Sequence, residues 1–143
     1  MISSILKGKG SEVVSVGPED LVMAVARTLT ERGIGAALVR DAAGQVLGII
    51  SERDIVRGMA AQGQGTTQLP AKRLMTHDLV TVTPQTTVAQ AMALMTHHRV
   101  RHLPVMDGGK LVGLVSIGDL VKARIEEAEH EAAELRAYVV SAG

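Results

Sequence analysis

Apolar positions along this chain change their spacing at regular intervals, and the changes mark out elements. Val13 to Val16 and Leu79 to Val82 are short runs rich in β-branched residues, each closed by a proline, which predicts two short strands. Leu21, Val22, Val25, Ala26 and Leu29 recur at helical spacing, as do Val88, Ala91, Met92 and Met95. Ala36 to Arg40 with Val46 to Ile50, and His102 to Met106 with Leu111 to Val115, read as hairpins around the turns DAAGQ and DGGK. A further helix is expected to open at Ser51 and another at Ser116. The last helix does not stop, because Val121, Ile125, Ala128, Ala132, Leu135 and Val139 continue a heptad-like stripe with charged residues on the other faces. Such a stripe lies either on its own domain or on a partner subunit.

The same order of elements occurs twice. GIISERDIVR from Gly48 and GLVSIGDLVK from Gly113 share Gly, Ser, Asp and Val at equal offsets, and Pro18 and Asp41 align with Pro84 and Asp107. A duplication of β-α-β-β-α units therefore accounts for most of the chain, and self-similarity of this kind decides the fold before any single element does. One unit would expose an apolar sheet face, so the two are expected to pack about a pseudo-twofold axis in an α+β fold. The expected organisation is an N-terminal helix or turn (1–12), repeat 1 (13–62), a linker (63–74), repeat 2 (75–122) and a C-terminal helix (123–143). AAQGQGTTQLP, rich in Gly, Thr and Gln, reads as a flexible connector.

Composition narrows the function. Of 143 residues 46% are apolar, yet no window approaches the roughly 18 consecutive apolar residues of a membrane span. Fifteen basic and fifteen acidic residues cancel, so there is no global positive field for a nucleic acid. Tyr138 is the only aromatic residue and there is no Cys, which removes stacking platforms, disulfides and thiolate metal sites. MISSILKGKG lacks an export signal, so a cytoplasmic location is expected. GKG does not have the spacing of a phosphate-binding P-loop and reads as a flexible basic turn, while the seven methionines read mostly as core filler. HHRVRH, His97 to His102, straddles a helix end and a strand start, so its imidazoles need not converge and no metal site is expected.

Ser51-x-x-Asp54 and Ser116-x-x-Asp119 have two readings. As capping boxes they close a helix start by reciprocal hydrogen bonds. As a recognition site, the Ser hydroxyl and helix N-terminus suit a phosphate, and the Asp one turn on is a two-oxygen acceptor suited to a vicinal diol. That layout matches a nucleoside monophosphate.

The tandem duplication, the doubled Gly-apolar-apolar-Ser-x-x-Asp signature and HRVRHLPVMD together resemble a pair of CBS domains, named after cystathionine β-synthase, of the short stand-alone bacterial type. The resemblance spans about Val13 to Lys122. It implies a regulatory module, with no catalytic cofactor, that binds AMP, ADP, ATP or NAD(H), or alternatively S-adenosylmethionine, in clefts between the repeats. By position, Asp54 and Asp119 would take ribose hydroxyls, and Ser51, Arg53 and Ser116 the phosphate. Val14 to Val16 and Val80 to Val82 would line the base. Gly35 and Ala36 stand where repeat 2 has Arg101 and His102, so basic residues reaching across would make the cleft of Ser51 and Asp54 the richer in positive charge and the more favourable to anionic ligands. The resemblance also implies a homodimer and an unidentified regulated protein. No nucleophile-base set or acid pair assembles from the sequence, so an enzyme is not expected. A ligand-free dimerisation scaffold, with the two Ser-x-x-Asp turns as caps only, is the rival reading.

Overall fold

A computed structural model describes residues 1–10 and 12–142. They divide into two compact units, one continuous (12–79) and one assembled from the chain's start (1–10) and its second half (80–142).

In the continuous unit β1 (Ser15–Val16) pairs in parallel with β2 (Ala36–Arg40), which pairs antiparallel with β3 (Val46–Ser51). Helix α2 (Val22–Arg32) packs its buried Val25 and Leu29 against Ala37, Val39 and Ile50 of the sheet. It ends where Gly33 takes φ 64°, a left-handed turn that glycine adopts at little cost. Helix α3 (Glu52–Gln62) follows β3 directly.

The connector departs from expectation. Rather than a flexible tether, it forms two short 3-10 helices, Gly63–Gln68 and Ala71–Arg73, built into the same unit. Thr66 explains the order: its fully buried hydroxyl donates to the carbonyls of Gly58 (3.0 Å) and Gly63 (2.8 Å). Buried polar groups are tolerated only when so satisfied, and these bonds replace what water would supply. Ala71 is itself a core residue, and Thr76 beyond it pairs with Ile49 through two backbone hydrogen bonds (3.1 and 2.8 Å).

The second unit repeats the plan. Helix α4 (Val88–His98) opens with a capping box between Thr87 and Gln90 and ends at Arg99, which holds φ 56° where the first repeat has Gly33. Strands β4 (His102–Asp107) and β5 (Lys110–Ser116) form the hairpin. The ladder slips between Val39 and Arg40 in one hairpin and between Val105 and Met106 in the other, the same place in each copy. The expected strand at Leu79 to Val82 reduces to a single parallel bridge of Val82 to Val105. Helix α5 (Ile117–Ala142) runs from the second Ser-x-x-Asp turn almost to the chain end.

The N-terminal helix α1 (Ile2–Lys9) belongs to this second unit. Ile2, Ile5 and Leu6 share one face; Ile2 is fully buried with Val88, Leu103, Val115 and Leu120, while Ile5 and Leu6 pack against that cluster. The methionines divide: Met95 is core and Met92 packs against its cluster, Met75 packs against the core of the continuous unit, and Met1, Met23 and Met59 are exposed.

Candidate ligand site

Both Ser-x-x-Asp turns are full capping boxes. The Ser51 amide donates to Asp54 Oδ2 (2.9 Å) and the Asp54 amide donates to Ser51 Oγ (3.2 Å). In the second repeat the Ser116 amide donates to Asp119 Oδ2 (2.8 Å) and the Asp119 amide to Ser116 Oγ (3.1 Å). The first helical amides are also taken, Glu52 N by the Gly35 carbonyl and Ile117 N by the Arg101 carbonyl, each at 2.9 Å. The Ser51 hydroxyl donates to Asp54 Oδ2 (3.0 Å), so a phosphate on Ser51 requires that hydroxyl to turn away.

What capping leaves over differs between repeats. In the first, Asp54 Oδ1 accepts, among the described residues, only a long hydrogen bond from the Thr76 hydroxyl (3.4 Å), on a half-buried side chain with capacity for another donor. In the second, Lys9 at the end of α1 lays its ammonium on Asp119 Oδ2 (2.6 Å) and on the Leu114 carbonyl (2.8 Å). Burial pushes the Asp119 pKa up, but the Lys9 hydrogen bond and charge and the Ser116 amide and hydroxyl outweigh it and hold the carboxyl below its ordinary 3.8.

That direction fixes a pH dependence. A carboxylate whose pKa is depressed by folding adds stability above 3.8, and that contribution fades as pH falls through the lower folded value. Asp119→Asn should therefore be less stable than the parent at neutral pH, with the gap closing in strong acid. Urea denaturation of both chains at each pH measures this; a gap independent of pH would refute it.

The remaining candidates fall around the two turns. Arg53 is exposed on the first turn of α3. His102 lies opposite Ser116 in the hairpin register, and Arg101 precedes it, so both stand beside the turn of their own repeat. Val14 and Val16 pack against the first core, with the Val14 carbonyl accepting from Leu38 N (3.1 Å). Val80 packs partly buried against the second core. Val82 is buried, and its amide donates to the Pro104 carbonyl while its carbonyl accepts from Met106 N. The sequence reading missed Lys9 and Thr76. The first was legible in retrospect from Ile2, Ile5 and Leu6, whose spacing makes ISSILKGK a helix rather than a loose basic turn. Among the described residues no group of three or more His, Asp or Glu converges to hold a metal ion, and no helix is long and apolar enough to cross a membrane.

The CBS domain family profile matches residues 9–61 and 71–126, the greater part of the chain. The chain belongs to the CBS domain family. A CBS-domain-containing protein of known crystal structure from Agrobacterium tumefaciens is 44% identical, with a TM-score of 0.85 over 86% of this chain and 92% of that one. A mitochondrial CBS domain-containing protein of Arabidopsis thaliana is 36% identical over 96% of this chain and 71% of its own length. A more distant CBS domain pair, 20% identical, has the same fold, with a TM-score of 0.78 over 89% of this chain and 97% of that one. It was crystallised with 5′-methylthioadenosine and S-adenosyl-L-methionine. CBS pairs generally act as regulatory ligand-binding modules, and stand-alone pairs are typically regulatory rather than catalytic.

Proposed function

We propose that this CBS pair is a regulatory module for an adenosine-containing ligand, with the turn of Ser51 and Asp54 as its principal site. AMP, ADP, ATP, NAD(H) and S-adenosylmethionine share the ribose diol that Asp54 would accept. The observation that carries this reading is Asp54 Oδ1, which accepts only a long bond from the Thr76 hydroxyl (3.4 Å) among the described residues, at a helix N-terminus next to Arg53 in sequence. Val14 and Val16 would flank the base, and Ser51 with Arg53 would meet a phosphate where the ligand has one. Arg101 and His102 are further candidate phosphate contacts. The turn of Ser116 and Asp119, with Val80 and Val82, is the secondary site, because a ribose there must displace the ammonium of Lys9. A cytoplasmic setting and a homodimer complete the proposal.

Titration calorimetry with AMP, ATP, NADH and S-adenosylmethionine tests it. Asp54→Asn keeps an oxygen for the Ser51 amide but loses the charge, so the fold should survive. Affinity should fall roughly tenfold or more, since a hydrogen bond to a charged group is worth about 1.5–3 kcal/mol. If none of these ligands binds or shifts the melting temperature, the boxes are caps alone and the scaffold reading stands.

A further inference from the structure

Helix α1 delivers one cation to the second repeat. Ile2, Leu6 and Lys9 follow at helical spacing, so they share one face of the helix. Ile2 is sealed in the core, and Leu6 lies over Gly113, where an added methyl would stand 2.5 Å from its terminal carbon. With those two seated, the side chain at the end of the face falls on the turn of Ser116 and Asp119. There the ammonium of Lys9 donates to Asp119 Oδ2 (2.6 Å) and to the Leu114 carbonyl (2.8 Å). Asp119 Oδ2 also accepts from the Ser116 amide (2.8 Å), so the ammonium and that amide meet on one oxygen. An ammonium carries three N–H groups, and among the described residues Lys9 uses two of them.

The turn itself has no such charge. Gly118 stands where the first repeat has Arg53. Packing does not demand that glycine: among the described residues a methyl there would meet, beyond its immediate neighbours and its own helix backbone, only the Ser116 hydroxyl at 3.6 Å, an ordinary contact. The second repeat therefore receives from α1 the kind of charge that the first carries on α3. The two placements differ in one physical respect. Arg53 is next to Asp54 in sequence, whereas Lys9 sits on the carboxylate that would accept a ribose. A ligand that takes Asp119 breaks the ion pair, and what the freed ammonium then meets depends on that ligand. A 5′-phosphate held at Ser116 offers it a new anion, on the side where the Ser116 amide already lies; adenosine offers none.

We infer that Lys9 is a specificity-determining residue of the second site, exchanging its carboxylate partner for the ligand's phosphate, so that this site favours 5′-phosphorylated adenosine over the uncharged nucleoside. The inference rests on the reading of Ser116 and Asp119 as a site for an adenosine-containing ligand. Magnitudes decide its direction. The ion pair is partly exposed, with 39% of the Lys9 side chain and 25% of that of Asp119 accessible, and pairs of that kind contribute little. Breaking it is therefore a modest penalty, shared by every ligand that takes Asp119. A hydrogen bond from an ammonium to a phosphate belongs to the stronger, charge-assisted class and outweighs that penalty. Lys9 thus helps AMP and hinders adenosine.

NMR titration of the full chain tests this, with AMP and adenosine as probes and the Ser116 and Asp119 amides as reporters, since those amides read the second site separately from the first. Lys9→Met keeps the length of the side chain and removes its charge. It should raise adenosine affinity at this site by about two- to fivefold and lower AMP affinity by about threefold or more, so that the ratio of the two falls roughly tenfold. A lysine that only held α1 in place would move both affinities in the same direction. Lys9→Arg retains the charge and should retain the preference for AMP, which separates loss of the cation from damage to the helix. Equal shifts for the two ligands, affinities that Lys9→Met leaves unchanged, or a Lys9→Arg chain that behaves like Lys9→Met would each overturn the role of Lys9 while leaving the site itself standing. If neither AMP nor adenosine moves the two amides, with or without Lys9, the site at Ser116 and Asp119 is overturned and the inference falls with it.

Discussion

Ile2→Ala is expected to destabilise the unit that contains it by about 2–5 kcal/mol, a range that covers loss of a large aliphatic side chain from a closed core. Ile2 is the first residue of α1, and helix ends ordinarily fray. Here it is fully buried, and its amide donates to the Thr86 carbonyl (2.9 Å) while that of Ser3 donates to Pro84 (2.9 Å). The substitution should also free the far end of α1, lifting Lys9 from Asp119. Lys9→Ala separates the two consequences: it removes an ion pair that is partly exposed, so its cost should stay within about 1 kcal/mol, while it leaves Ile2 in place. Urea denaturation of the three chains decides the matter, and an Ile2→Ala chain as stable as Lys9→Ala would show that α1 is not anchored by its apolar face.

Gly48→Ala should cost about 1–3 kcal/mol, and Gly113→Ala distinctly less, although the two glycines occupy the same place in the duplicated motif. A methyl on Gly48 would stand 2.6 Å from the Thr76 carbonyl oxygen, which is backbone held by two hydrogen bonds to Ile49. Relief means breaking that pairing and shifting the segment that carries Ala71 into the core. A methyl on Gly113 would stand 2.5 Å from a terminal methyl of Leu6, a side chain that can rotate aside. Thermal and urea melts of the two variants test the ordering; equal losses would mean that the overlying segments give way equally.

These glycines also show what the sequence could and could not disclose. The duplication, both hairpins, four of the helices and the doubled capping geometry were readable because each is written in local spacing: alternate positions for strands, three-and-four for helices, Ser three residues before Asp for a helix start. The motif glycines were visible as repeats, but not the reason for them. In each repeat the hairpin is covered by the segment that precedes the other repeat: α1 lies over Gly113 and the stretch around Thr76 lies over Gly48. A contact between Leu6 and Gly113 leaves no local periodicity to read.

The asymmetry of the candidate sites was hidden for the same reason. The sequence pointed to Arg53, Arg101 and His102 as the source of inequality, because basic residues beside the motif can be counted. The structure adds a second source, a lysine on Asp119 and only a threonine near Asp54, delivered by chain segments 110 and 22 residues away. The connector was misread through composition: Gly, Thr and Gln suggest a tether, and only the tertiary setting of Thr66, sealed between the carbonyls of Gly58 and Gly63, makes it a fixed part of the fold.

The placement of α1 has a consequence for synthesis. α1 is translated well before its packing partners, since Ile2 shares a core with Val115 and Leu120. At roughly 5–20 residues per second, α1 waits on the order of 6–25 s before its binding groove has been translated. The continuous unit, residues 12–79, has all its own strands by then and can mature first. Nascent chains thus carry an uncovered apolar helix until those partners emerge, a natural moment for chaperone capture, and moving that helix to follow residue 142 would change the order of assembly without altering one contact inside the continuous unit.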